Sequence, residues 1–508
     1  MDSVILTFLI IKWFAPIFAF KIFEKAGYKW WQSFIPVYNY YIWIKLTGRP
    51  LWWFIILVIP FMGFFIMFML QVATSKAFDR HALWQEALAV IVPFIYLPYL
   101  GFSKKETYYK ERPYFKPSTL RGWVDAIIFA VVAVSILRMY LYEAYTIPTS
   151  SMEKTLLVGD YLFVNKYKYG ARSPMTPIAV PFVNHTMPLS QTRKSYSECI
   201  KLDYYRYPAL CKIKNYTPIV FNYPEGDTLS TVYQSNASYY SLVRQYGYQR
   251  VNTDKRQFGE IISRPVDKRE TYIKRCIGIP GDTLQVINGY AYINGVKENH
   301  KGDLQFTYIV KTNGTQLRKT YLDKLNITET PTYNPSTSEY ILTLTKSSLE
   351  DIKANSIVES VTPELQVNTD YFKDNCIKYL FPYSADYQWT IDEYGPIYIP
   401  KKGDVIALDT KNICLYKRII ETYEGNKLAV KDGKIFINDI ETDKYTTKMD
   451  YYWMMGDNRH NSADSRFWGY VPEDHIVGTP AIVWLSMDKN KSLLNGKIRW
   501  RKMFRIPK

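Results

Sequence analysis

Residues 147–156 read IPTSSMEKTL. This polar stretch joins two segments of different period. Upstream, VDAIIFAVVAVSILRMYLY at 124–142 is apolar over about the 20 residues a membrane-crossing helix needs. Downstream, LLVGDYLFVNKY at 156–167 opens on turn residues and then alternates as a strand does. A membrane element therefore gives way here to a β-rich region. Ser151 is either a nucleophile at the membrane face or part of a plain polar joint.

Three further apolar stretches lie upstream, at 4–20, 51–72 and 87–102. The stretches at 51–72 and 124–142 fit a full span. Those at 4–20 and 87–102 are short and contain Pro16, Pro93 and Pro98. The first also holds Lys12, which is expensive inside a bilayer unless it snorkels or finds a partner, so partial interfacial placement is the alternative. The start MDSV lacks the basic residue of a secretory signal, and no small-residue cleavage site follows. Lys21, Lys25, Lys29, Lys45 and Arg49 crowd one loop, and Lys104, Lys105, Lys110, Arg112, Lys116 and Arg121 another. Between them, Lys76 and Arg80 are offset by Asp79 and Glu86. Positive-inside logic puts both basic loops in the cytoplasm, and with four spans everything after Tyr142 lies outside. The segment AGYKWWQSFIPVYNYYIW at 26–43 reads as an aromatic-basic interfacial stretch or a plain loop.

The expected division is a membrane region at 1–122, a final transmembrane helix at 123–145 and an extracytoplasmic β-rich domain at 146–508. Segments 171–216, 228–267 and 297–400 are rich in Tyr, Asn and Thr, show few helical patterns and read as surface insertions. The 508 residues carry a net charge of +17, with Lys and Arg scattered among 45 Tyr rather than in blocks. No nucleic-acid module is recognisable, so the charge is assigned to a membrane surface and no nucleic-acid partner is expected. The five cysteines form no CxxC pair, and no metal site is expected. Cys199 and Cys211 either bridge or stay free.

A serine needs a base to become a nucleophile. None of the five histidines sits in a triad motif, and there is no GxSxG elbow. Lys154 makes SMEK an SxxK match, but KTG and SDN are missing and the following residues read as turn and strand rather than helix. Lys274 lies in ETYIKRCIGIPGDTLQV at 270–286, a strand ended by a Pro-Gly-Asp turn, with Tyr272, Lys274 and Cys276 on one face. An exposed lysine is neutral in only about one molecule in a thousand near pH 7.5; burial raises that share, and a neutral amine can take the serine proton and return it to a leaving amine. Taken alone, Lys274 also fits a solvated lysine on an exposed strand face.

Four blocks settle the choice: IPTSSMEKTLLVGDYLFVNKYKYG (147–170), PIVFNYPEGD (218–227), YIKRCIGIPGD (272–282) and MGDNRHNSADSRFWGYVPEDHIVG (455–478). Their order, spacing and content resemble the bacterial type I signal peptidase (leader peptidase) family. The resemblance implies a transmembrane anchor and a mostly β catalytic domain of strongly bent antiparallel sheets. It implies a cofactor-free serine endopeptidase of the inner membrane, acting on the signal peptides of translocated preproteins, against the bilayer and near the secretion translocon. By resemblance Ser151 is the nucleophile and Lys274 the general base, Thr149 and the Ser151 N–H form the oxyanion hole, Ser462 orients the amine, and Asp464 and Arg466 support the site as an ion pair. Tyr145, Ile147, Met152 and Leu156 match positions lining shallow pockets for Ala-X-Ala-like sequences, with ordinary packing as the alternative. Lys154 stands where the family often has Pro, Ser150 where a smaller residue is common, and Thr149 where some members have Ser.

Two other readings remain at this level: an SxxK acyltransferase of the penicillin-binding type, and an inert membrane scaffold. A weak internal repeat adds a decoy. The stretch 403–443 imitates 218–227 followed by 272–300, with LYKRII expected as a strand and Lys417 in the place of Lys274, but only Lys274 is followed by IGIPGD.

Overall fold

The computed structural model describes residues 15–58, 62–111, 115–190, 192–299, 303–367, 376–489, 491–492 and 496–507. The chain divides into two units, Met1–Ile136 and Leu137–Lys508.

The first unit is helical. Tyr40, Trp43, Leu70, Leu97 and Leu100 belong to its core. Among the described residues one helix, Thr119–Tyr140, is long and apolar enough to cross a membrane, and its Leu120, Trp123, Ile127 and Phe129 are exposed. Of the four expected spans, only this one is a single long apolar helix among the described residues, and a bent pair of helices could make a second. The stretch at 87–102 is two helices, Leu83–Ile91 and Pro93–Phe102, meeting at 115°. Pro93 opens the second; its ring disfavours helical backbone at Val92 and it has no N–H to continue the ladder. The stretch at 51–72 contains Trp53–Val58 and Met62–Lys76, with residues 59–61 outside the described set. Lys12 and most of the first stretch also lie outside it. The aromatic-basic segment 26–43 is neither wholly interface nor loop: Trp30 and Trp31 are exposed, but Trp43 is buried and its indole donates to Thr74 Oγ1 at 2.8 Å.

The second unit is mostly β. Its main sheet has seven strands in the order Tyr142–Thr146, Asp160–Asn165, Ile476–Ser486, Thr217–Asn222, Thr271–Gly278, Tyr451–Met455, Val471–Pro472, all neighbours antiparallel. Register shifts at Tyr161/Leu162, Phe163/Val164, Ile476/Gly478 and Trp453/Met454 are the irregularities that bend such a sheet. Gly478 is required at one of them, since a Cβ there would stand 2.2 Å from the Asn165 carbonyl oxygen. A second sheet, built on the hairpin Thr283–Ile287 and Tyr290–Ile293, packs Leu284 and Val286 with Trp453 and Tyr394.

The insertions are more structured than their composition suggests. Segment 228–267 holds three short helices, Tyr239–Tyr246, Tyr248–Thr253 and Lys255–Phe258, around Leu242, Val251 and Phe258. The side chains of Ser238 and Asp254 cap the first and the third of them. Segment 297–400 carries a four-stranded antiparallel sheet with its own core of Val310, Leu342, Leu344 and Ile352. Its end is no insertion, because Tyr394–Tyr398 pairs with Thr283–Ile287. Cys199 and Cys211 are free and exposed. The repeat survives in the first strands, Thr217–Asn222 and Val405–Ala407, and in two hairpins, Thr283–Ile293 and Leu428–Ile437; LYKRII is helical, Ile413–Arg418 running into a π turn, so Lys417 does not copy Lys274.

Candidate active site

Lys274 sits on Thr271–Gly278, with Thr217–Asn222 on one side and Tyr451–Met455 on the other, opposite Ile219. A lysine between two such neighbours cannot keep its hydration shell, and Lys274 is 5% exposed. Its Nζ lies 2.6 Å from Ser151 Oγ and donates to the Ile273 carbonyl at 3.2 Å. Burial pulls its pKa down to about 8, against the opposing pull of Asp464 and Asp457. At that value about a tenth of the amines are neutral at pH 7, hundreds of times the share of an exposed lysine.

Ser151 comes to this amine from a tight turn. Glu153 N–H donates to the Ser150 carbonyl at 3.0 Å and Leu156 N–H to that of Met152 at 2.8 Å. The turn is not a regular helix: Lys154 has φ +73°, and its Nζ donates to the Asn326 carbonyl instead of lying under Ser151. The SxxK geometry is therefore not formed.

The loop after Met455 closes the site. The Arg466 guanidinium donates to both oxygens of Asp464, at 2.9 and 2.8 Å, with both residues fully buried. Asp464 also accepts from the Gly456 N–H at 3.2 Å. The Asn458 N–H donates to the Ser151 carbonyl at 3.2 Å. Ser462 Oγ is buried, and its hydroxyl is one of the groups that hold the Asp464 carboxyl below its ordinary range; among the described residues the hydrogen bonds of Lys274 Nζ run to Ser151 and Ile273. Ser462 is nonetheless brought close, because a Cβ on Gly456 would lie 2.2 Å from Ser462 Oγ and 2.6 Å from the Ser151 carbonyl oxygen. Thr149 is exposed beside Ser151. Ile147, Met152 and Leu156 pack together with Leu162, Val164 and Val220. Met152 and Leu156 have no exposed surface, so they serve as core beneath the site rather than as open pocket walls. Tyr145 is half-buried against the same cluster and donates to Glu143 at 2.7 Å.

Three participants were missed from the sequence. Arg275 and Asp457 form a buried two-pronged pair at 2.7 and 2.6 Å, with Thr155 donating to the same carboxylate at 2.6 Å. Their signal was present, since both lie inside the blocks that carry the family resemblance, Arg275 next to Lys274 and Asp457 in MGDNR. Glu329 had none: it belongs to the 297–400 insertion, yet its carboxylate accepts from Asn458 at 2.7 Å and from Asn461 at 2.5 Å.

Residues 31–111 match a family of unknown function, DUF5684. Residues 120–348 and 440–485 match the family described as signal peptidase, peptidase S26. Among curated relatives, the signal peptidase I of Helicobacter pylori strain 26695 is 24% identical over 393 residues, covering 76% of this chain and 90% of the relative. That of Aquifex aeolicus is 22% identical over 367 residues (72% and 85%), and that of Buchnera aphidicola from Acyrthosiphon pisum 22% over 361 residues (71% and 74%). With the S26 match extending over more than half of its residues, this chain belongs to the signal peptidase S26 family.

Proposed function

We propose that this protein is a membrane-anchored signal peptidase I, a serine endopeptidase that removes signal peptides from translocated preproteins through a Ser151–Lys274 dyad. The observation that carries the reading is the buried amine 2.6 Å from Ser151 Oγ. Neutral Lys274 takes the Ser151 proton as Oγ attacks the scissile carbonyl. The Ser151 N–H and the Thr149 hydroxyl receive the developing oxyanion. The tetrahedral intermediate collapses, the C–N bond breaks, and Lys274 delivers its proton to the leaving amine. Water, deprotonated by the same amine, then hydrolyses the ester and frees Ser151.

Asp464 and Arg466 hold the loop that carries Ser462 and Gly456, and the core of Ile147, Met152 and Leu156 supports a floor that admits only small side chains before the cut. Thr119–Tyr140 anchors the enzyme in the cytoplasmic membrane, with the catalytic unit outside and the basic loops inside. Anchoring confines enzyme and signal helix to one bilayer near the translocon, which raises their effective concentration.

The test is cleavage of a model preprotein in membranes. Ser151→Ala and Lys274→Ala are each expected to lower kcat by at least about 1000-fold. Lys154→Ala is expected to stay within about 3-fold of the unaltered enzyme, because its amine bonds Asn326. Loss with Lys154→Ala and survival with Lys274→Ala would overturn the assignment.

A further inference from the structure

The 297–400 insertion reaches the nucleophile turn at three points. Lys154 Nζ donates to the Asn326 carbonyl, the Thr328 hydroxyl hydrogen-bonds Glu153, and Glu329 binds the Ser150 side. Glu329 gathers four donors. Its Oε1 accepts from Asn458 Nδ2 at 2.7 Å, Asn461 Nδ2 at 2.5 Å and Ser150 Oγ at 3.3 Å; its Oε2 accepts from Thr343 Oγ1 at 2.6 Å. Thr343 lies on Glu339–Thr345, so the carboxylate ties the inserted sheet to the catalytic loop. Burial alone would raise the Glu329 pKa, but these donors outweigh it and hold the group below its ordinary value, as an anion.

The contact matters through Asn458, whose Nδ2 also donates to the Ser150 carbonyl at 3.4 Å. That carbonyl and the Ser151 N–H belong to one trans peptide plane and point in opposite directions. The carbonyl also accepts from the Glu153 N–H at 3.0 Å, so Asn458 shares in holding it, and that hold aims the Ser151 N–H away from both donors. We propose that Glu329 is a positioning residue for the oxyanion donor: acting through Asn458 and Ser150, it sets the peptide plane that presents the Ser151 N–H. This rests on the reading of Ser151 as nucleophile. It gives the inserted sheet a catalytic task.

The full-length enzyme in proteoliposomes tests the idea, with a model preprotein as substrate and a peptide aldehyde as probe. The aldehyde is attacked by Ser151 to a tetrahedral adduct whose oxygen occupies the oxyanion position. Glu329→Ala is expected to lower kcat by about 10- to 100-fold, with KM within about 3-fold, and to weaken the aldehyde by the same factor. Glu329→Gln is expected to recover to within about 3-fold, because one amide oxygen can still face the two asparagines while its N–H₂ turns to the Thr343 hydroxyl, which can accept. Thr343→Val, which removes only the anchor of Oε2, is expected to give a smaller loss of the same kind and serves if Glu329→Ala does not fold. A rise in KM with kcat unchanged, aldehyde affinity unaltered while kcat falls, or a Gln variant as impaired as Ala would each overturn the proposal. Ser151→Ala separates the two levels. If it still cleaves, the dyad reading falls and this inference with it; if it is inert while Glu329→Ala cleaves normally, only this inference falls.

Discussion

At the scale of single residues the site depends on one amine being out of water. The folded-state pKa of Lys274, about 8, lies below the ordinary 10.5. Between those values the unfolded chain binds more protons than the folded one, so this group's contribution to stability rises with pH through that window, and below about pH 8 the fold carries the full penalty. The shift corresponds to about 3 kcal/mol at pH 7. Lys274→Met is therefore expected to abolish cleavage and yet raise the thermal midpoint at pH 7, the gain disappearing above about pH 10.5; melts at several pH values check this. The same titration governs rate. The logarithm of kcat/KM is expected to rise with unit slope at acid pH and level off near pH 8, where the free enzyme's amine loses its proton. A profile that levels off near pH 6, or still climbs at pH 10, would contradict it.

At the scale of elements, the site is where a strand, a turn and a loop meet without room to spare. Gly456 shows how little tolerance remains, because an added methyl would press against both the Ser462 hydroxyl and the Ser151 carbonyl oxygen. The Ser151 atom is backbone and held by the Asn458 N–H, so it cannot swing aside as a flexible side chain would. Gly456→Ala is expected to cost about 1–3 kcal/mol of stability and to lower kcat by more than about 10-fold. Urea denaturation and steady-state cleavage measure the two, and an alanine variant with unaltered rate would mean that the loop and the turn move independently.

At the scale of the molecule, two units of different composition share one chain. Unit Leu137–Lys508 contains the dyad, its supporting ion pairs and several cores of its own. A fragment starting at residue 137 is expected to unfold cooperatively and to cleave a short peptide near the full-length rate. It is expected to process a membrane-inserted preprotein at least about 100-fold more slowly, since the shared bilayer no longer brings the two together. Circular dichroism melts and parallel assays on both substrates test this; equal rates on both would remove any role for the anchor.

The sequence by itself determined the family and located the candidate residues within it. Ser151 and Lys274 were legible because each sits in a block that resembles the signal peptidase family, and Thr119–Tyr140 because a long apolar run is a local signal. What only the tertiary structure decided are the relations between distant residues. These include the approach of Ser151 to an amine 123 positions away, the diversion of Lys154 to Asn326, the closing of Met152 and Leu156 into core, and the arrival of Glu329 from an insertion. LYKRII shows the same limit, since a sequence that could pair as a strand became helical where its apolar residues packed into the core. The physical reason is one of range. Hydrophobic periodicity and turn chemistry act over a few neighbouring residues, whereas burial, which lowers the lysine pKa and chooses each partner, is a property of everything the chain packs around a residue.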